Sequence, residues 1–128
     1  MRFAKRVYRV AGVYGFIAIV PLYFMEGRIG HDTPPAITHP EYYYGFVGVG
    51  LAWQLLFFIL ATDPARYRPM MIPSILEKVS FGVALLVLFL QGRLPMSVLG
   101  LGSVDWIFAV LFVVAYVATP HAERSRTL

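Results

Sequence analysis

The stretch YYYGFVGVGLAWQLLFFILAT, residues 42–62, holds twenty-one residues and no charge. A helix needs about 20 mostly apolar residues to cross a hydrocarbon core of about 30 Å. Three shorter runs of the same kind fill most of the remaining chain. The sequence therefore predicts an integral membrane protein.

The composition excludes several other classes of protein. Of the 128 residues, 59% are hydrophobic and only 14% are charged, which is more apolar surface than a soluble domain of this length could bury. The net charge of +4 does not indicate nucleic-acid binding, because the basic residues sit at helix ends and can meet anionic lipid there. The absence of cysteine excludes disulfides, thiolate metal sites and thiol catalysis.

The apolar runs predict an all-α fold with four membrane spans, at about residues 7–25, 42–61, 75–91 and 104–119. The connections between them are short, so neighbouring helices should run antiparallel. We therefore expect one transmembrane domain over residues 1–128, built as an antiparallel four-helix bundle. The first run follows a basic segment as in a signal peptide, but it ends in Phe24-Met25-Glu26 without a small-x-small cleavage site, so we interpret it as a retained span.

The basic residues predict how the chain is oriented. If the N-terminus is cytoplasmic, that side holds nine Lys and Arg residues and the other side only two, Arg28 and Arg93. The nine are Arg2, Lys5, Arg6, Arg9, Arg66, Arg68, Lys78, Arg124 and Arg126. This positive-inside bias predicts that both termini are cytoplasmic and that the protein lies in a bacterial inner membrane. Tyr8 and Trp106 are assigned to interfacial aromatic belts.

Two acids near predicted helix starts each allow two interpretations. Ser74 and Glu77 form a capping-box pattern after Pro73, and Asp105 falls in the predicted first turn of the fourth span. In that interpretation both carboxylates close helix ends, and Lys78 extends outward to water. If the helices instead begin near Met70 and Ser97, both acids lie deeper and can contact a ligand, with Arg93 as a partner for Asp105.

Gln54 is the only strongly polar side chain in the middle of a predicted apolar run. It is expected either to hydrogen-bond between helices or to contact a ligand. Tyr14 lies within the first span and needs a hydrogen-bond partner. The candidate ligand-binding residues are therefore Gln54, Glu77, Tyr14 and Asp105, and no catalytic constellation is found.

The sequence predicts no cofactor. His31 and His39 lie in the predicted outer loop with Asp32 and Glu41, but their spacing matches no trusted zinc site, so they are weak metal candidates. All three histidines lie outside the apolar runs, which argues against transmembrane haem or chlorophyll.

Segments HPEYYYGF (39–46), DPARYRP (63–69) and EKVSFG (77–82) resemble a group of uncharacterised bacterial four-helix membrane proteins, along nearly the whole chain. That resemblance implies an architecture but no activity. The segment WQLLFFILAT (53–62) is similar to the second helix of the EXPERA proteins, four-helix bundles that bind or isomerise sterol-like ligands. In that pattern an acid precedes the glutamine by four residues, where this chain has Gly50. A general similarity to DoxX-like four-helix proteins is weaker.

Three functions remain open at this point. The first is a non-catalytic accessory or interaction subunit, with membrane lipids, other membrane proteins or a homo-oligomer as partners. The second is a binder, or an enzyme, of an apolar ligand such as a lipid, isoprenoid or quinone. The third is an oligomeric proton-coupled transporter that uses Glu77 or Asp105. An apolar cavity reached by Gln54 and Glu77 would favour the second.

Overall fold

The computed structural model describes residues 2–121, and in this part of the chain every regular element is helical. The five α-helices are α1 Arg2–Ile19, α2 Glu26–Asp32, α3 Pro40–Thr62, α4 Met71–Leu90 and α5 Met96–Ala118. A 3-10 turn over Val20–Phe24 extends α1, and another over Arg68–Met70 leads into α4. The predicted all-α class is confirmed.

Four of these helical segments are long and apolar enough to cross a membrane. They are Arg2–Phe24, Pro40–Thr62, Arg68–Leu90 and Met96–Ala118, each of 23 residues. At about 1.5 Å per residue each is roughly 35 Å long, which exceeds the hydrocarbon core of about 30 Å. The prediction of four membrane-length helices is confirmed.

The remaining helix, α2, is short and lies in the segment that joins the first two spans. Tyr44 at the start of α3 donates a 2.7 Å hydrogen bond from its hydroxyl to the carboxylate of Glu26. Tyr43 donates in the same way to the backbone carbonyl of Leu22. These bonds hold the connecting segment against α3. The sequence of α2 shows no apolar periodicity that would indicate a helix.

The last two long helices begin earlier than the sequence predicts. Helix α4 begins at Met71 and α5 at Met96, instead of near residues 75 and 104. Pro73 lies in the first turn of α4, where a proline removes no intrahelical hydrogen bond. Pro95 occupies the position just before α5. Both prolines therefore mark helix starts that the apolar runs alone place too late.

The predicted cap by Ser74 is wrong for the same reason, and Ser103 is likewise inside a helix. Ser74 lies inside α4, and its hydroxyl donates to the carbonyl of Met70 at 2.7 Å. Ser103 lies inside α5 and donates to the carbonyl of Gly100 at 2.6 Å. These are bonds to the preceding turn of the same helix, which leave neither side chain free to cap a start.

The packing of the long helices leaves one side of the bundle open. Helix α1 packs against α3 and α5, and α5 packs against α4. Within residues 2–121, α3 and α4 do not pack closely along their lengths. Phe46 of α3 and Phe81 of α4 approach each other across this gap, with ring centroids 5.6 Å apart.

The core is formed where α1, α3 and α5 meet. The ring of Tyr8 stacks on Phe112, with centroids 4.3 Å apart, and Phe57 meets Phe112 edge-on at 5.1 Å. All three side chains are fully buried. The assignment of Tyr8 to an interfacial belt is therefore wrong, and Trp106, in the interior of α5, does not mark a helix start either.

Candidate functional site

A cavity of about 1090 Å³ lies on the open side of the bundle, with walls from α1, α3, α4 and α5. Most of its lining is apolar. The four residues singled out from sequence, Tyr14, Gln54, Glu77 and Asp105, all line it. Pockets for small ligands typically span about 300–1000 Å³, so this one is large enough for a lipid-sized molecule.

A cluster of three charged side chains forms part of the cavity wall. Lys78 Nζ donates a 3.2 Å hydrogen bond to Asp105 Oδ1, which joins α4 to α5. The same Nζ lies 3.6 Å from Glu77 Oε2. The Lys78 side chain is only 5% exposed, and the two carboxylates are 21% and 16% exposed. The cluster is therefore an interior feature of the bundle.

The cluster lies near the middle of the membrane-length segments. In Arg68–Leu90, ten residues precede Lys78 and twelve follow it. In Met96–Ala118, nine residues precede Asp105 and thirteen follow it. An ionisable side chain at such a depth is costly, about 3 kcal/mol on insertion scales, and usually marks a functional site.

Because the helices begin early, the capping interpretation of the acids is wrong. Glu77 lies in the second turn of α4 and Asp105 in the third turn of α5. Lys78 does not extend to water but points into the bundle. Arg93 is not the partner of Asp105, since its guanidinium bonds the side-chain oxygen of Gln91 at 3.3 Å.

Aromatic rings complete the surroundings of the buried ammonium group. Nζ of Lys78 lies 5.4 Å from the ring centre of Phe57 on α3 and 5.6 Å from that of Phe108 on α5. A cation within about 6 Å of an aromatic face is attracted by the ring quadrupole. Lys78, which belongs to α4, therefore contacts side chains of both α3 and α5.

Gln54 on α3 is fully buried, and its two polar atoms differ in their partners. Nε2 donates a 2.8 Å hydrogen bond to the carbonyl of Gly50, one turn back in the same helix. Oε1 accepts no hydrogen bond from the described residues. It lies directly against Gly15 of α1, where a Cβ would collide with it. The expectation that Gln54 hydrogen-bonds between helices is wrong, because its one bond is internal to α3.

Tyr14 lies at the edge of the cavity and is not part of the solid core. Its side chain is 39% exposed, and its ring centre is 5.6 Å from that of Phe108. Because Phe108 also contacts Lys78, this places Tyr14 one residue away from the charged cluster.

The weak metal candidates lie apart from the cavity. His31 Nδ1 is 3.2 Å from an oxygen of Asp32, and His39 Nδ1 is 3.2 Å from an oxygen of Glu41. Among residues 2–121, no three His, Cys, Asp or Glu side chains are grouped so as to hold a metal ion.

Lys78 is the central residue that sequence reasoning missed. The sequence predicts its neighbour Glu77 as a candidate but places Lys78 at the membrane surface. Pro95 is the signal that could have corrected this. A proline favours the start of a helix, and an α5 that begins there carries Asp105 to mid-depth, where a buried cation on another helix becomes the expected partner.

No protein-family model, curated protein or solved structure matches this chain.

Proposed function

We propose that the protein binds a largely apolar, membrane-dissolved ligand in the cavity between α3 and α4. The observation that carries this proposal is the cavity itself, apolar over most of its wall but reached by Gln54, Glu77 and Asp105. A solid bundle would need neither the open space nor polar side chains at this depth. The gap between α3 and α4 supplies a lateral entrance for a molecule dissolved in lipid.

We also propose a topology that fits this role. The four long helices alternate in direction across a bacterial inner membrane, with both termini on the cytoplasmic side. The positive-inside bias supports this orientation even after Lys78 is withdrawn from the count, because eight basic residues then face two. The ligand would enter from the membrane and not from either aqueous side.

A matched pair of glycine substitutions tests the ligand-binding proposal. Gly45 lines the cavity and Gly100 does not, and a Cβ at either position meets no atom within 4 Å. Gly45→Trp should place an indole in the cavity without disturbing the fold, and Gly100→Trp should place one outside it. We expect native mass spectrometry to show a lipid-mass adduct on the wild-type chain and on Gly100→Trp, reduced several-fold on Gly45→Trp.

Two results would contradict the proposal. One is the absence of any bound lipid-mass species on the wild-type chain after extraction in a mild detergent. The other is equal retention by Gly45→Trp and Gly100→Trp, which would place the bound molecule on the outer surface of the bundle.

An accessory-subunit function is the second candidate, favoured by a smaller groove of about 420 Å³ on the outer face of α1 and α3. It is lined by Phe16, Gly48, Leu51, Ala52, Leu55 and Phe58. Small residues such as Gly48 and Ala52 let another helix approach closely in a membrane. Purification in mild detergent at native expression tests this: a stable larger assembly supports it, and a clean monomer argues against it.

A further inference from the structure

The first turns of α1 carry a basic face. Arg2, Lys5, Arg6 and Arg9 follow the i, i+3, i+4 and i+7 spacing that places residues on one side of a helix. All four are exposed. Among residues 2–121, none of the four forms an ion pair with an acid. The face is therefore open to an anionic partner from outside this part of the chain.

This face lies at one end of a membrane-length segment. Fifteen residues follow Arg9 within Arg2–Phe24. The four cations span roughly 10 Å along the helix axis. Cations at this level of a membrane helix attract anionic lipid. The partner that the position favours is thus a lipid phosphate.

The basic face is turned toward α3. Lys5 precedes Gly12 by seven residues, which is two turns along the same side of α1. A Cβ at Gly12 would lie 3.0 Å from the ring of Phe58 on α3. The exposed Val10, by contrast, is in line with Tyr14, whose ring packs on α5. A topology signal requires cations at this end of the helix but does not require them on the α3 side.

An apolar groove continues from the basic face along α1 and α3. Its volume is about 420 Å³, and all six residues that line it are apolar. Phe16, seven residues after Arg9, belongs to this lining. On α3 the lining extends from Phe58 back to Gly48, ten residues or roughly 15 Å. An occupant that meets both features is anionic at one end and apolar along its length.

We propose that an anionic phospholipid binds along this side of α1, with its phosphate against Lys5 and Arg9 and an acyl chain in the groove. Lys and Arg form charge-assisted hydrogen bonds to phosphate, which are roughly twice as strong as neutral ones. A zwitterionic lipid carries the same phosphate, but its ammonium group is repelled by the four cations. The groove shares no lining residue with the cavity, so this site is separate from the proposed ligand site.

Native mass spectrometry tests the proposal with two lipids that have identical acyl chains. Phosphatidylglycerol and phosphatidylcholine are titrated onto the delipidated full-length protein in a neutral detergent. The known masses of the added lipids separate their adducts from any ligand retained in the cavity. We expect phosphatidylglycerol to bind about tenfold more tightly than phosphatidylcholine, because only its head group has a net negative charge.

Two charge-pair variants test the basic face. Lys5→Gln combined with Arg9→Gln should weaken phosphatidylglycerol binding about thirtyfold and leave phosphatidylcholine binding nearly unchanged. Arg66→Gln combined with Arg93→Gln removes the same charge from exposed positions outside α1. This control pair should change phosphatidylglycerol binding by less than about threefold.

Two tryptophan variants of α3 test the groove. Ala52 and Ile59 are both exposed, but Ala52 lines the groove, whereas Ile59 lines neither the groove nor the cavity. Ala52→Trp should fill the groove and weaken phosphatidylglycerol binding about fivefold. Ile59→Trp and the cavity variant Gly45→Trp should leave it unchanged.

Equal binding of the two lipids, or equal losses in the two charge-pair variants, would overturn the proposal, because the attraction would then not depend on this face. Unchanged binding by Ala52→Trp would overturn it as well. If that variant instead breaks up a stable assembly, the groove holds a partner helix and not a lipid. A loss in Gly45→Trp as large as that in Ala52→Trp would place the lipid in the cavity, which also contradicts a separate site.

Discussion

Lys78 is a buried lysine that meets charged and aromatic side chains of three helices, counting its own. It donates to Asp105, lies close to Glu77 and is flanked by the rings of Phe57 and Phe108. Through these contacts it ties α4 to both α3 and α5. Removing one member of a buried ion pair leaves the other charge uncompensated, whereas replacing both with apolar groups can be nearly neutral.

The first prediction concerns this pair. Lys78→Met should lower the free energy of unfolding by about 3 kcal/mol, because Asp105 and Glu77 are left without a cation. Lys78→Met combined with Asp105→Leu should recover part of that loss, because Glu77 is then the one carboxylate of the cluster left without a cation. The measurement is unfolding of the detergent-solubilised protein by titration with SDS. Lys5→Met serves as a control, because Lys5 is exposed; a loss with Lys5→Met equal to that with Lys78→Met would contradict this account.

The sequence predicts four polar residues of the cavity wall but not their contacts. Gln54, Glu77, Asp105 and Tyr14 are identifiable because polar groups are rare in apolar helices. Which of them meet depends on where each helix starts and how it is rotated about its axis. A shift of eight residues in the start of α5 moves Asp105 from a predicted helix end to the interior, beside a lysine that is 27 residues earlier in the chain.

At the scale of the elements, the contact between α4 and α5 depends on two glycines. A Cβ at Gly82 would lie 2.7 Å from the indole of Trp106. A Cβ at Gly102 would collide with the side chain of Leu85. These glycines allow the two helices to approach closely, as small residues commonly do in membrane bundles.

The second prediction uses two glycines of α5 that differ in surroundings. Gly102→Ala should destabilise the protein by about 1–2 kcal/mol, because the side chain of Leu85 must leave its position. Gly100→Ala should be neutral or should stabilise the protein by up to about 1 kcal/mol through helix propensity, since nothing lies within 4 Å of its Cβ. SDS titration of both variants measures the difference, and equal effects would show that Gly102 is not a packing contact.

The number of long helices could be predicted from the sequence, but their first residues could not. Hydropathy is summed over a whole span and tolerates local interruptions, so the four spans are evident. The start of a helix depends on a few backbone positions. The glycines at positions 100 and 102 are poor helix formers in water, yet they remain helical here because the backbone of a membrane-length segment must satisfy its hydrogen bonds internally.

The four long helices together form an open arrangement. Helix α1 packs against α5, α3 packs against α1, and α4 packs against α5. Helices α3 and α4 therefore lie on opposite sides of the cavity. The rings of Phe46 and Phe81 approach each other across the entrance. The proposed topology places this entrance toward the hydrocarbon core, where a ligand dissolved in the membrane can reach it.

The third prediction tests that topology. The chain has no cysteine, so single-cysteine variants carry one reactive thiol each. Arg66→Cys and Arg93→Cys replace exposed residues in two different connections between long helices. In intact bacterial cells, a membrane-impermeant maleimide should label Arg93→Cys, whereas Arg66→Cys should react only after the inner membrane is opened. The reverse pattern would contradict cytoplasmic termini, and labelling of both in intact cells would contradict the alternation of the helices.

The bond between Lys78 and Asp105 has a consequence for how the chain is made. Asp105 leaves the ribosome 27 residues after Lys78, so α4 is synthesised before the carboxylate that accepts the Lys78 hydrogen bond exists. The adjacent charges of Glu77 and Lys78 are poorly accepted by lipid, which favours keeping α4 at the insertion machinery until α5 arrives. The last two helices are therefore expected to enter the membrane together, as one hairpin.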